Sequence, residues 1–171
     1  AYASPSPAYL QGVPIAANTA GVLGAATRFA ATGLPPGLSI NVATGAITGT
    51  PSAGGNFQAE VTAYGDSAWS ATTTLGISVL GVPAIAYPTP QVYLTTVQIA
   101  PLLPAVAGGA VAAYTVTPAL PPGLVLNAAT GEISGTPTAA ALGAEYRVAA
   151  SNAAGTDTAV IHLTVNESAP D

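Results

Sequence analysis

The eighteen residues from Leu34 to Pro51, LPPGLSINVATGAITGTP, return 86 positions later as LPPGLVLNAATGEISGTP, Leu120 to Pro137. Thirteen of the eighteen are identical, and nearly all of these shape a backbone or fill a core rather than do chemistry. In the first copy the motif is carried by Leu34, Pro35, Pro36, Gly37, Leu38, Thr44, Gly45, Ile47, Gly49, Thr50 and Pro51. In the second it is carried by Leu120, Pro121, Pro122, Gly123, Leu124, Thr130, Gly131, Ile133, Gly135, Thr136 and Pro137. A repeat that keeps its turn residues and core anchors keeps a backbone shape, so each copy is expected to be one folding unit. The expected organisation of the 171 residues is a first domain over 1–80, a linker over 81–83, a second domain over 84–166 and a polar tail over 167–171. Units of roughly 80 residues can still fold alone.

Half of the residues are hydrophobic, but they are mainly Ala and Val and only 6% of the chain is aromatic, so the cores must be thin. With 19 Gly and 16 Pro the chain is punctuated too often for long helices and suits short strands joined by turns. Leu38 and Ile40 alternate with polar neighbours, as do Ile47 and Gly49, which reads as two short strands around a tight turn with Gly45 at positive φ. Pro35 and Pro36 cannot donate backbone hydrogen bonds, so LPPGL reads as a strand-entry segment at a sheet edge, pinned by Leu34 and Leu38. Phe57, Ala59, Val61 and Ala63 alternate in the first copy and Ala144, Tyr146, Val148 and Ala150 in the second, each followed by a final strand, Thr72 to Val79 and Ala159 to Val165. Seven short strands per copy predict an all-β protein of two tandem β-sandwiches. The short linker with Pro83 predicts that they stand end to end.

The formal net charge is -5, with Arg28 and Arg147 as the two strong cations. Nucleic acid needs clustered cations, so it is not an expected partner, and anionic membrane is disfavoured for the same reason. No apolar run reaches the length of a membrane helix, roughly 18 residues. Without Cys there is no disulfide, thiolate nucleophile or Cys-ligated zinc. Beginning at Ala1 with neither a start Met nor a signal peptide, the chain reads as a mature form or an excised segment.

The pattern LPPGL, then N-x-x-T-G, then I-[ST]-G-T-P resembles the immunoglobulin-like modules found in tandem in large bacterial surface and secreted proteins. These are relatives of the cadherin-like domains of dystroglycan type. The resemblance spans both copies and implies an immunoglobulin-like sandwich, an extracellular setting and neighbouring domains of a larger surface protein as partners. Many cadherin-like relatives bind calcium through Asp/Glu clusters, and here the chain departs from them. Glu60, Asp66, Glu132, Glu145, Asp157, Glu167 and Asp171 are scattered, whereas calcium takes six to eight oxygen ligands. No metal or other cofactor is expected.

Candidates for chemistry are few. His162 is the one histidine and reads as a surface residue of the last strand: a general base needs a nucleophile or a positioned carboxylate beside it, and no G-x-S-x-G elbow is there to supply one. No catalytic residue is assigned, and the chain is expected not to be an enzyme. The loop Tyr64-Gly65-Asp66-Ser67-Ala68-Trp69 holds the sole Trp, where the second copy has no aromatic. Tyr64, Asp66 and Trp69 form the candidate binding set for a glycan or protein, since exposed aromatics stack on sugars and anchor partners. The competing expectation is that Trp69 packs over its own sheet edge or an interdomain joint. The expected role is a non-enzymatic spacer of a bacterial cell-surface or secreted protein, with adhesion as a variant; the alternatives are a binding module using that loop or an accessory domain of a secreted hydrolase.

Overall fold

The computed structural model describes residues 1–21, 26–66 and 69–169. Two compact units divide the chain, Ala1–Gly81 and Val82–Asp171, and the regular structure among the described residues is all strand. The first unit holds β1 (Ala8–Leu10), β2 (Ala26–Thr32), β3 (Leu38–Ile40), β4 (Ile47–Gly49), β5 (Gly55–Gly65) and β6 (Ser70–Leu80). The second holds β7 (Pro83–Ala86), β8 (Gln91–Leu94), β9 (Ala105–Gly108), β10 (Ala113–Thr117), β11 (Leu124–Leu126), β12 (Ile133–Gly135), β13 (Ala141–Asn152) and β14 (Gly155–Asn166). Pro83, read from sequence as linker, is instead the first residue of β7, a position where the lack of an N–H is tolerated.

Each unit is built on the same four-stranded sheet, ordered β1-β6-β5-β2 in one and β8-β14-β13-β10 in the other. The first pairing in each is parallel and the others are antiparallel. The long hairpins form the centre because their period-two pattern lays one apolar row inward. Ala59, Val61, Leu75, Ile77 and Val79 are buried in the first unit, and Tyr146, Val148, Ala150, Ile161, Leu163 and Val165 in the second. Across the core stand the short hairpins β3–β4 and β11–β12, joined to upstream chain by the bridges Asn18↔Ile47 and Leu102↔Ile133. The strand inventories of the two units differ. β7 and β9 pair with each other in the second unit and have no named counterpart among the described residues of the first, so the described strands number six and eight rather than seven and seven.

The repeated motif is a set of local devices. Leu38 N donates to Pro35 O at 3.1 Å around a turn with Pro36 at its second position and Gly37, φ 87°, at its third, the arrangement of a type II turn. The same turn recurs with Leu124 N, Pro121 O and Gly123, φ 91°. It presses directly on the strand opposite. A Cβ on Gly37 would stand 2.0 Å from Thr50 O, and one on Gly49 would stand 2.2 Å from Gly37 O. Two backbones therefore touch where the motif keeps glycine, and Thr50 N and Ser52 N seal the contact by donating to Gly37 O and Pro36 O. In N-x-x-T-G, Asn41 Oδ1 accepts from Ala43 N and Thr44 N, while Ala46 N donates to Thr44 Oγ1. Asn127 and Thr130 repeat these bonds.

Gly45 and Gly131 serve a second purpose besides their positive φ. The rings of Phe29 and Tyr114 come within 2.7 Å of where a Cβ would stand on each. The glycine carbonyls then accept from distant tyrosines, Tyr2 Oη to Gly45 O at 2.6 Å and Tyr87 Oη to Gly131 O. Burial raises the pKa of both hydroxyls, and for Tyr87 the neighbouring Tyr114 adds to the effect. An unfolded tyrosine ionises near 10, at about pH 10. Above that pH the folded state holds more protons than the unfolded one, so stability present in full below about pH 10 falls as pH rises further. Urea midpoints are expected to drop through this alkaline range, and Tyr87→Phe to flatten the drop for the second unit; midpoints that stay level would refute the assignment.

Candidate functional site

Along β5, Val61 and Ala63 face the core, which places Thr62 and Tyr64 on the outer side of the sheet. Tyr64 lies opposite Arg28 of β2, whose guanidinium carbon is 4.1 Å from the ring centroid. Such a cation–π contact is worth about 0.5–1 kcal/mol at an exposed site. Asp66 is exposed in the turn that follows, and Ser67 and Ala68 lie outside the described residues. Trp69 O accepts from Gly65 N at 3.1 Å, and its indole rests against Gly65, where a Cβ would meet Nε1 at 2.0 Å.

The indole is thus turned inward. It is 36% exposed and, with Phe29, Val61 and Ala63, lines a cavity of about 540 Å3 in the first unit. The structure does not bring the candidate set together: Tyr64 belongs to the outer face under Arg28, and Trp69 to the inner side. Residues 64 and 69 fall on opposite sides of a pleated hairpin.

His162 stands on the exposed side of β14, with Nε2 4.0 Å from Glu145 Oε1, while Arg147 Nη2 lies 3.5 Å from Glu145 Oε2. All three side chains are more than half exposed, at 55%, 54% and 61%, so these pairs contribute at most about 1 kcal/mol. No hydroxyl nucleophile bonds the imidazole among the described residues. Nor do three His, Cys, Asp or Glu side chains gather there to hold a metal ion. Sequence reasoning missed the cavity and the two tyrosine-to-glycine bonds. The signal for the bonds was present in the matched Tyr2 and Tyr87; the cavity left none.

Two β-sandwiches, each with a parallel first-strand pairing onto a central antiparallel hairpin and an opposing short-hairpin layer, define a tandem immunoglobulin-like protein. The chain belongs to the family described as "Putative Ig domain", whose model matches residues 3–80 and again 82–166. No curated protein matches it in sequence. Among solved structures, the I-band fragment I67-I69 from titin aligns over 97% of this chain and 65% of its own, at 13% identity and a TM-score of 0.54. The protocadherin gammaB7 EC3-6 structure aligns over 96% of this chain and 47% of its own, at 12% identity and a TM-score of 0.50. The chain spans about two thirds and half the length of these two fragments, and at such identities the likeness shows the fold alone.

Proposed function

We propose that the chain is a non-enzymatic tandem spacer of a bacterial cell-surface or secreted protein, holding and displaying neighbouring domains outside the cell. One observation carries this reading: three pairs of polar side chains that the two copies share are consumed within their own folds. Asn41 and Asn127 cap turns, Thr44 and Thr130 close them, and Tyr2 and Tyr87 bond turn carbonyls. What the copies keep in common is shape, and a repeated shape serves a mechanical part. The family match and the cadherin-like and titin-like folds support the same role.

Pulling single molecules by their ends is expected to give two separate unfolding steps, one per unit, with a contour gain of about 80 residues each at ~3.6 Å per residue. A titration of Trp69 emission with oligosaccharides is expected to leave it unchanged. A saturable shift would sink the spacer reading in favour of a glycan-binding loop, and turnover of a hydrolase substrate by the purified chain would sink it in favour of an enzyme.

A further inference from the structure

At one place where the first unit has glycine, the second has a residue that suits the backbone badly. Gly12 N donates to Pro51 O at 2.8 Å, and Thr96 N donates to Pro137 O at 2.9 Å. The residues just before them, Gln11 and Thr95, donate to Leu80 O and Asn166 O, each at 2.9 Å. Gly12 and Thr96 therefore hold the same position in the two copies. Gly12 has φ 77°, and Thr96, with φ 62°, is the one non-glycine residue at positive φ among the described residues. A β-branched side chain is strained in that region, so its hydroxyl is where a use is to be sought.

The parallel pairing of β8 with β14 ends in Leu94 and Asn166, followed by the Thr95 N to Asn166 O bond. A regular parallel ladder would continue with Ser168 N donating to the main-chain carbonyl of Thr95. Instead Ser168 N donates to Thr95 Oγ1 at 3.0 Å, and Thr95 O accepts from Thr96 Oγ1 at 2.6 Å. Ser168 Oγ lies 3.4 Å from Thr95 Oγ1 and 3.3 Å from Thr96 Oγ1. Three hydroxyls thus carry the pairing on through side chains, past the point where the main chain turns away at Thr96. Thr95 is buried, and Ser168 is tied to chain 73 residues earlier. The first copy has Gln11 and Gly12 at these two places, and Gln11 Nε2 donates to Ser52 O.

We propose that Thr95, Thr96 and Ser168 form a clasp that holds the chain leaving β14 to the end of β8 against tension. β8 lies near the start of the second unit and β14 at its end, and the two run parallel. Tension that draws the two ends of the unit apart therefore shears this pairing along its length instead of opening it bond by bond. On the β14 side that tension meets Ser168 before it meets the strand, so the clasp is the first contact loaded. The inference deepens the spacer reading and rests on it for the tension, while the hydroxyl bonds are tested by themselves.

Two variants of the full chain test it. Thr95→Val keeps the side-chain shape and removes the acceptor, so the Ser168 amide is expected to exchange its hydrogen roughly 2- to 10-fold faster, the effect of one lost hydrogen bond. Thr96→Gly removes a hydroxyl and the strain together. The calorimetric melting temperature of the second unit is expected not to fall, because glycine accepts positive φ freely. Yet when single molecules are held by their ends at constant force, one of the two unfolding steps is expected to come roughly 2- to 10-fold sooner, with the other unchanged as the internal reference. Equal Ser168 exchange in Thr95→Val and the parent chain would remove the clasp. Unfolding under force that is no faster in Thr96→Gly would remove its mechanical role and leave the spacer reading standing. A faster step accompanied by a lower melting temperature would reduce the effect to general destabilisation and overturn the proposal as well.

Discussion

Gly37→Ala is expected to lower the stability of the first unit by about 2–5 kcal/mol. Positive φ costs a non-glycine residue ~1–2 kcal/mol, and forcing a methyl against fixed backbone adds ~1–3 kcal/mol. The clash cannot be relieved by a side-chain rotation, because the atom 2.0 Å from the new Cβ is the main-chain carbonyl oxygen of Thr50, whose own N donates to Gly37 O. In a domain of this size the melting temperature should fall by roughly 8 °C or more. Gly12 supplies the internal control: its φ is 77° and nothing lies within 4 Å of a Cβ there, so Gly12→Ala should show the strain alone, about 1–2 kcal/mol. If both substitutions cost the same when followed at Trp69, the backbone contact between the LPPG turn and β4 contributes nothing and the motif's glycines are kept for φ only.

Ile47→Ala is expected to cost the first unit about 2–5 kcal/mol, the range for truncating a buried aliphatic side chain. Ile47 is 1% exposed, belongs to the cluster formed with Leu75, Ile77 and Val79, and exchanges both backbone hydrogen bonds with Asn18. It sits on a three-residue strand, so the layer opposite the main sheet depends on few side chains to hold it down. The matching Ile133→Ala should destabilise the second unit by a similar amount while leaving the Trp69 transition where it was, since Ile133 is 0% exposed in a separate cluster. Loss of the Trp69 transition on Ile133→Ala would show that the units do not unfold independently.

Much of the fold was legible because its signals are local. The alternation at Leu38, Ile40, Ile47 and Gly49 placed β3 and β4 at their observed bounds, and their repeat placed β11 and β12. Gly45 was read as a positive-φ residue and has φ 72°. The contact between Gly37 and Gly49 was not legible, since nothing in either strand's own pattern says that two backbones meet. The candidate loop was half legible. Its residues were found by composition, yet the division of Tyr64 from Trp69 follows from hairpin register and from the Arg28 that β2 brings alongside.

By itself, the sequence determined that there are two equivalent units, that they are built of short strands, and where their tight turns lie. Those properties rest on period-two patterning and on the φ preferences of Gly, Pro and Asn, which act over a few residues. Only the tertiary structure decided that Tyr2 and Tyr87 reach turn carbonyls 43 and 44 residues away and that Trp69 faces inward. These depend on which distant segments come together in the folded core, and no local pattern encodes that meeting.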